Sequence, residues 1–480
     1  MTEYSIADLR EHNSWWEQPA AINDEVKLRD VDKATYPWTP RLKHVIDLDG
    51  GIHTLRGPRQ VGKTTLVKLI IKDLLDETEE EAVFYYACDL LSDADDLTGL
   101  LTTYLDWGET RTDAHKYVFL DEIATVKDWQ QAVKLLKDQG RLDDTTVLLT
   151  GSHAVDIREG GELMPGRRDG GNDHVLTPMK FAEYLEVTNS VEPQKAAPLR
   201  KQAFFDLFDG ETHDIIQRRR PFVDELNARL DDYLLTGGFP SSVNEYHDSQ
   251  DIDHKLYELY THVVLSDIYK RNKREDYMRD ILNRVIETTT SRVSWSSLTK
   301  YTDINSHNTA ETYVKLLRKS FLLNIIHKVS LNKNQAKRAS RKKIYVDDPF
   351  IFHAIRSWVH GFSNPYQKAE RFIEDNEQKS KLVEAVVGSH LIRLAYNLNP
   401  SNTFNPDNHV FYWHNGKEID FILKHDDTLY PIEVGYRNQI GDKGKWIRKR
   451  AGTPLILTKD QFRVTDDYAM LPVSLFLQLV

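Results

Sequence analysis

Cysteine is nearly missing from this chain: its 480 residues include one, Cys88. A lone thiol excludes an internal disulfide and a cysteine-based metal cluster, and its place among Phe84, Tyr85 and Tyr86 reads as a buried structural thiol. Long apolar runs are missing as well, and Met1 to Trp16 is too polar and acidic for a secretory signal. The expectation is a cytoplasmic protein with no membrane segment. Positive charge is in deficit, with 63 Lys and Arg against 74 Asp and Glu and a formal net charge of −11. That excludes a uniformly basic nucleic-acid binder and leaves room for local basic patches. Internal repeats and low-complexity tracts are absent. The remainder is ordinary globular material, 40% hydrophobic and 29% charged, and 480 residues exceed one core, so two or three domains are expected.

What is present is concentrated first at residues 57 to 64, which read Gly57-Pro58-Arg59-Gln60-Val61-Gly62-Lys63-Thr64, a complete G-x-x-x-x-G-K-[ST] phosphate loop. Ile52, Thr54 and Leu55 precede it as a buried strand would, and Leu66, Leu69, Ile70 and Leu74 follow at helical spacing. A strand, a glycine-bounded turn and a helix N-terminus make an anion site, where backbone N–H groups and the helix dipole converge on phosphates. Residues Gly57 to Thr65 are therefore the expected ATP site, with Lys63 on the β- and γ-phosphates and the Thr64 hydroxyl on Mg²⁺.

The apolar run Tyr117-Val118-Phe119-Leu120 delivers two adjacent acids, Asp121 and Glu122. Buried acids are costly unless paired or bound to metal, so Asp121 is expected at Mg²⁺ and Glu122 as the group that polarises the attacking water. A third strand, Thr146 to Ser152, ends in Thr150 and Ser152, candidate sensors of the γ-phosphate. Val83 to Ala87 reads as a further strand, Leu42 to Leu48 as a helix, and Lys127 to Lys137 as a helix.

Further along, Trp295 to Lys300, a longer helix from an N-cap at Ser306 through Arg318, and strands at Phe321 to Ile326 and Lys343 to Val346 follow the winged-helix order. The segment Lys328 to Lys343 holds Lys328, Lys333, Lys337, Arg338, Arg341, Lys342 and Lys343 with no acid, and is the candidate contact for duplex DNA. Near the C-terminus, an amphipathic helix from Leu382 to Leu394 carries Glu384, and strands at 418–423 and 429–434 carry Asp420 and Glu433. Helix acid, strand Asp and strand Glu follow the restriction-endonuclease-like order, in which carboxylates hold divalent metal. The lysine expected two residues after the second acid is replaced by Gly435, leaving Lys443 or Lys445 to supply the charge.

Together these motifs resemble the AAA-type ATPases of archaea and bacteria that carry a C-terminal domain of uncharacterised function. The resemblance rests on Gly57 to Thr65, Phe119-Leu120-Asp121-Glu122-Ile123, Leu149 to Ser152, Pro165-Gly166-Arg167, Leu176 to Phe181, Tyr233 to Pro240, Ser266 to Ile268 and the Glu418-Ile419-Asp420-Phe421 and Ile432-Glu433-Val434 ending. It implies an α/β fold: a P-loop NTPase αβα sandwich, then a helical and winged-helix region, then a nuclease-like α/β domain that often lacks nuclease residues. It also implies that Arg167 senses or stabilises the γ-phosphate. The expected organisation is a lead-in at 1–45, the ATPase core at 46–190, helices at 199–275, a winged-helix-like domain at 276–350 and the nuclease-like domain at 351–480. The expected activity is ATP hydrolysis with Mg²⁺, coupled to movement of the C-terminal regions, on DNA or as a protein-interaction switch or homo-oligomer. An ATP-dependent nuclease is the further alternative.

Overall fold

Short apolar runs alternating with helical periodicity build a parallel sheet in the N-terminal part of the chain. The computed structural model describes residues 4–151, 168, 170–189, 201–212, 214–270, 273–399, 404–436 and 443–480. It divides into two units, Met1–Thr177 and Pro178–Val480.

In the first unit, strands β1 (Gly51–Arg56), β2 (Val83–Ala87), β3 (Lys116–Asp121), β4 (Thr145–Gly151) and β5 (Asp173–Val175) lie in the order β2-β3-β4-β1-β5. All neighbours are parallel. Strands buried on both faces have no polar side to alternate with, which is why β2 reads as a continuous apolar run and β4 carries one at Val147-Leu148-Leu149. β4 sits between β1 and β3, so the phosphate-loop strand and the acidic strand are separated by one strand, and Thr150 lies beside both.

β2 would be an open edge, and the lead-in closes it. Asn13 accepts from the Tyr85 N–H at 2.7 Å and donates to the Tyr85 carbonyl at 3.1 Å. The indoles of Trp15 and Trp16 both donate to the Val83 carbonyl at 3.0 Å. Side chains thus satisfy backbone groups that would otherwise pair with another strand. The helix expected at Leu42 to Leu48 is only the 3-10 turn Arg41–His44; Pro40 opens it, and Asp47, Asp49 and Gly50 do not continue it.

The second unit begins with helices Phe181–Val187, Lys201–Asp206, Asp214–Arg219, Val223–Thr236, Pro240–Ser249, His254–Lys270 and Glu275–Glu287. Phe181–Val187 belongs here: the Phe181 and Tyr184 rings pack edge-on against Tyr233, and the Phe181 N–H donates to His390 Nε2 at 3.0 Å. The Gly237-Gly238 turn has a steric cause. Gly237 stands at φ 59°, ψ −154°, a conformation nearly reserved to glycine. A Cβ there would meet Asp348 Oδ1 at 2.1 Å, and one on Gly238 would meet the Met179 carbonyl oxygen at 2.2 Å. Asp348 is why the approach is so close: it accepts from the Gly238 N–H at 2.9 Å and from Phe350 N–H at 2.8 Å, joining this turn to the start of helix Pro349–His360. We expect Gly237→Ala to lower the unfolding free energy of this unit by at least about 2 kcal/mol. Urea titration followed by circular dichroism measures it, and an unchanged midpoint would refute the steric account.

Helices Trp295–Leu298 and His307–Lys319 precede β6 (Leu323–Ser330), β7 (Gln335–Ala336) and β8 (Lys342–Val346). The Ser306 hydroxyl caps the second helix by accepting from the Asn308 N–H at 3.2 Å, as read from sequence. Antiparallel β8 and β7 pair with β6, whose partner beyond them is parallel β9 (Val410–Asn415). The sheet continues through β10 (Lys417–His425), β11 (Thr428–Val434), β12 (Leu455–Thr458), β14 (Ala469–Pro472) and β13 (Arg463–Val464), nine strands across the boundary drawn at 350. Val329, Phe411, Trp413, Ile419 and Ile447 share one apolar core, so hairpin and C-terminal sheet are buried together. The helix at Leu382 to Leu394 is longer, Asn376–Leu398, and is not amphipathic: Val383, Val386, Val387, Leu391 and Leu394 are buried with Ser389, His390 and Arg393. Its polar residues have internal partners, such as Arg393 to Asp347 at 3.1 Å, which hides them from a periodicity count.

Candidate nucleotide site

β1 ends at Arg56 and helix Lys63–Leu74 begins seven residues on, so the loop between them turns back over the helix N-terminus. Gln60 and Gly62 take positive φ, 62° and 103°, which aims the intervening N–H groups inward. Gly57 cannot carry a side chain, since a Cβ would meet the Leu176 carbonyl oxygen at 2.1 Å. Pro58 and Val61 are buried, Arg59, Thr64 and Thr65 half-buried, and Gln60 exposed at the crown. Lys63 is buried, and its ammonium donates to the carbonyls of Gly57 at 3.1 Å and Pro58 at 3.0 Å. It lies across the loop that it would share with a phosphate.

The acids meet the loop where the motifs place them. Thr64 Oγ1 donates to Asp121 Oδ2 at 2.6 Å. Thr150 Oγ1 donates to the other oxygen, Asp121 Oδ1, and accepts from the Glu122 N–H at 3.1 Å. Glu122 turns the chain at φ 51°, so its side chain leaves the sheet just beyond Asp121. Thr150 therefore holds Asp121 by its carboxylate and Glu122 by its backbone. Ser152 and Arg167 lie outside the described residues. Arg168 is described and is tied down, donating to the Ile52 carbonyl at 3.0 Å and pairing with Asp173 at 2.9 Å.

Tyr85 and Lys68 belong to the same site, and motif reading missed both. Tyr85 is paired with Phe119 in the β2–β3 register, so its hydroxyl reaches diagonally to Asp121 Oδ2, donating at 3.1 Å. Burial and the Asp121 charge push the phenol far above its usual value, so it stays a donor. The Lys68 ammonium lies 3.3 Å from the centroid of the Tyr85 ring and 3.3 Å from Glu25. Burial pulls this lysine down, opposed by Glu25 and Asp121. The available signal was spacing: Lys68 is four residues beyond Thr64, one helical turn further along the same face.

The C-terminal carboxylates also converge, around lysines. The Lys343 ammonium lies 2.9 Å from Glu384, 2.7 Å from Glu418 and 3.1 Å from Asp420. Tyr345 donates to Glu384 at 2.6 Å, and Lys443 pairs with Glu433. Burial alone would lower Lys343, yet Glu384, Tyr345, Asp420 and Glu418 hold it well above its usual value. Burial pushes Glu384 up to about 7 even beside Lys343. Burial would also raise Asp420, but Lys343 and Lys443 outweigh it and hold that carboxyl low; burial and Asp420 together push Glu433 well up. Among the described residues no three acidic, histidine or cysteine side chains are set to hold a metal ion. The charge missing at Gly435 is supplied by Lys443 and by Lys343 from β8, whereas Lys445 is not among the cluster's partners.

This corrects the basic hairpin. Lys342 and Lys343 are buried, Lys342 with its ammonium 3.8 Å from the Trp295 ring centroid, so neither faces a phosphate backbone. Lys333, Lys337, Arg338 and Arg341 are exposed and Lys328 half-buried. No helix among the described residues is long and apolar enough to cross a membrane.

Residues 49–185 match the AAA domain. Residues 227–360 and 379–472 match two domains of unknown function, DUF8612 and DUF4143. The chain thus carries an AAA domain, a nucleotide-binding module, ahead of two domains whose matches name no activity. Among solved structures, the Walker-type ATPase paby2304 of Pyrococcus abyssi is similar at 15% identity over 74% of this chain and 98% of that one, with a TM-score of 0.39. The RuvB Holliday junction branch migration motor of Thermotoga maritima is similar at 16% identity over 64% and 91%, with a TM-score of 0.28. The ORC1 protein of Aeropyrum pernix, solved in complex with DNA, is similar at 10% identity over 74% and 97%, with a TM-score of 0.31. No curated protein matches the chain.

Proposed function

We propose that the AAA domain binds and hydrolyses ATP at Gly57 to Thr65 and uses the cycle to move the regions beyond residue 177. The observation that carries this reading is the Thr64–Asp121–Thr150 chain of hydrogen bonds, with Glu122 held at its end. The loop N–H groups and Lys63 bind the phosphates, Lys63 exchanging the Gly57 and Pro58 carbonyls for phosphate oxygens. Glu122 accepts a proton from the attacking water, and Thr150, which accepts from the Glu122 N–H, holds the backbone from which that side chain projects. A hydroxyl and a carboxylate oxygen 2.6 Å apart form the hard-oxygen donor set that Mg²⁺ takes, so Thr64 and Asp121 are the residues that would hold it. When bound, Mg²⁺ supplies neutralisation of the phosphate charge.

Tyr85 acts as a positioning residue through Asp121. Tyr85→Phe is expected to raise the Mg²⁺ concentration for half-maximal hydrolysis about tenfold while ATP affinity without metal stays unchanged. A purely structural role for the hydroxyl would leave the Mg²⁺ titration where it was.

The deciding experiment is steady-state ATP hydrolysis with and without duplex DNA at low salt, with Glu122→Gln as the blank. Turnover that rises several-fold with DNA and falls as salt is added supports action on DNA. Indifference to DNA supports a nucleotide-gated protein-interaction switch, and no turnover above the blank refutes the ATPase. The DNA reading is favoured by the exposed cations at Lys333, Lys337, Arg338 and Arg341. Replacing Lys337, Arg338 and Arg341 with serine should weaken duplex binding and reduce its salt slope by about 3. Equal affinity and slope in that variant would make the hairpin a solvated loop.

A further inference from the structure

The second unit holds a wide-mouthed surface pocket of about 490 Å³ that none of the motifs addresses. It lies where helix Pro349–His360 ends and helix Pro365–Glu374 returns, beside the start of helix Asn376–Leu398. Arg356, Lys368 and Arg371 bring three cations to it, and Phe362 and Phe372 form its apolar walls. The one acid in the lining is Asp375, whose Oδ1 accepts the N–H groups of Glu377 at 2.8 Å and Gln378 at 3.0 Å. That carboxylate is already committed to capping a helix. Among the described residues no carboxylate oxygen lies in ion-pair range of the three cations.

Arg356 is the unusual member. Its guanidinium sits 4.0 Å from the Phe372 ring centroid and 5.6 Å from Phe362. Its polar neighbour is His353 Nδ1 at 3.5 Å. Burial pulls Arg356 down to about 10 with no acid to offset it. A half-buried cation without a counter-ion is costly, and a phosphate held nearby on Lys368 and Arg371 would recover part of that cost while leaving the guanidinium plane to a base. Lys368 and Arg371 are exposed, three residues apart on one helix face, and guard the approach.

We infer that this pocket binds a phosphorylated nucleoside, free or as one unit of a single strand, with the phosphate on Lys368 and Arg371 and the base stacked on Arg356 and its phenylalanine walls. Bases stack on guanidinium planes and aromatic rings while basic side chains hold the phosphate, which is the pairing of groups found here. An inorganic anion would leave the rings unused, and an acidic peptide would bring no planar group to the guanidinium.

Calorimetric titration of dTMP into the full chain at low salt tests this, with Lys63→Ala present throughout so that the phosphate loop does not compete. Binding is expected to weaken at least tenfold on replacing the exposed Lys368 and Arg371 together with glutamine. Arg356→Lys, which keeps charge and loses the plane, should weaken dTMP several-fold and leave inorganic phosphate unaffected. A short fluorescein-labelled oligothymidylate identifies the source: affinity above that of dTMP, lost in the same variants, points to a single strand, and lower affinity points to the free nucleotide. Absence of dTMP binding at millimolar concentration overturns the proposal. So does binding unchanged by the substitutions, or inorganic phosphate binding as tightly as dTMP.

Discussion

Lys63→Ala is expected to abolish ATP binding, and Glu122→Gln to retain it while slowing hydrolysis by about 10²–10⁴-fold. The two outcomes differ because the residues act at different stages. Lys63 is buried at the helix N-terminus, where on the proposed reading its charge would add to the loop N–H groups and meet phosphates before any chemistry. Without it the loop retains dipoles and no full charge in contact with the β- and γ-phosphates. The Glu122 backbone N–H donates to Thr150, a bond that glutamine keeps, so the turn at φ 51° is expected to survive while the side chain loses its ability to accept a proton. Fluorescence titration with a labelled ATP analogue separates binding from phosphate release. Normal turnover in Lys63→Ala would remove the site from Gly57 to Thr65. Normal turnover in Glu122→Gln would leave water activation to another group.

The parts of this site legible in the sequence are those whose function is local. A phosphate loop is eight consecutive residues, and a strand ending in two acids is as compact, so Lys63, Thr64, Asp121 and Glu122 are readable without knowing what surrounds them. Tyr85 was illegible because its role depends on β2 lying next to β3 in a register that pairs Tyr85 with Phe119. In sequence it is one aromatic among Phe84 and Tyr86 in a buried strand. Lys343 was misread for a different reason. It closes a run of basic residues, and charge runs usually face solvent, whereas β8 is buried along all five of its residues. The readable hint was its abutment on Ile344-Tyr345-Val346, which places Lys343 and Tyr345 on one face of a strand. The likeness to a nuclease drew attention to Glu384, Asp420 and Glu433, but a cation from the hairpin is visible only once β6 pairs with β9.

Lys343→Ala is expected to lower the stability of the second unit by about 3–5 kcal/mol, because it leaves buried carboxylates uncompensated. The variant should respond to pH in a defined direction. Glu384 is raised in the folded state from 4.5 to about 7, so its folding contribution is fully present below about 4.5 and is lost as pH rises through 7. Lys343, with the Tyr345 hydrogen bond beside it, opposes this rise, and without Lys343 Glu384 takes up a proton at still higher pH. The deficit of Lys343→Ala should therefore be larger at pH 8 than at pH 5, where a neutral Glu384 no longer needs the ammonium. Adding Glu384→Gln should recover part of the loss at pH 8 and little at pH 5, a coupling that urea titrations of the four members of a double-mutant cycle measure directly. Additive effects at both values would mean that the 2.9 Å contact between Lys343 and Glu384 holds nothing in place. Coupling confined to high pH would instead make Lys343 the internal cation of this cluster. The carboxylates would then tie β8 to helix Asn376–Leu398 and β10, and DNA contact would be left to the exposed part of the hairpin.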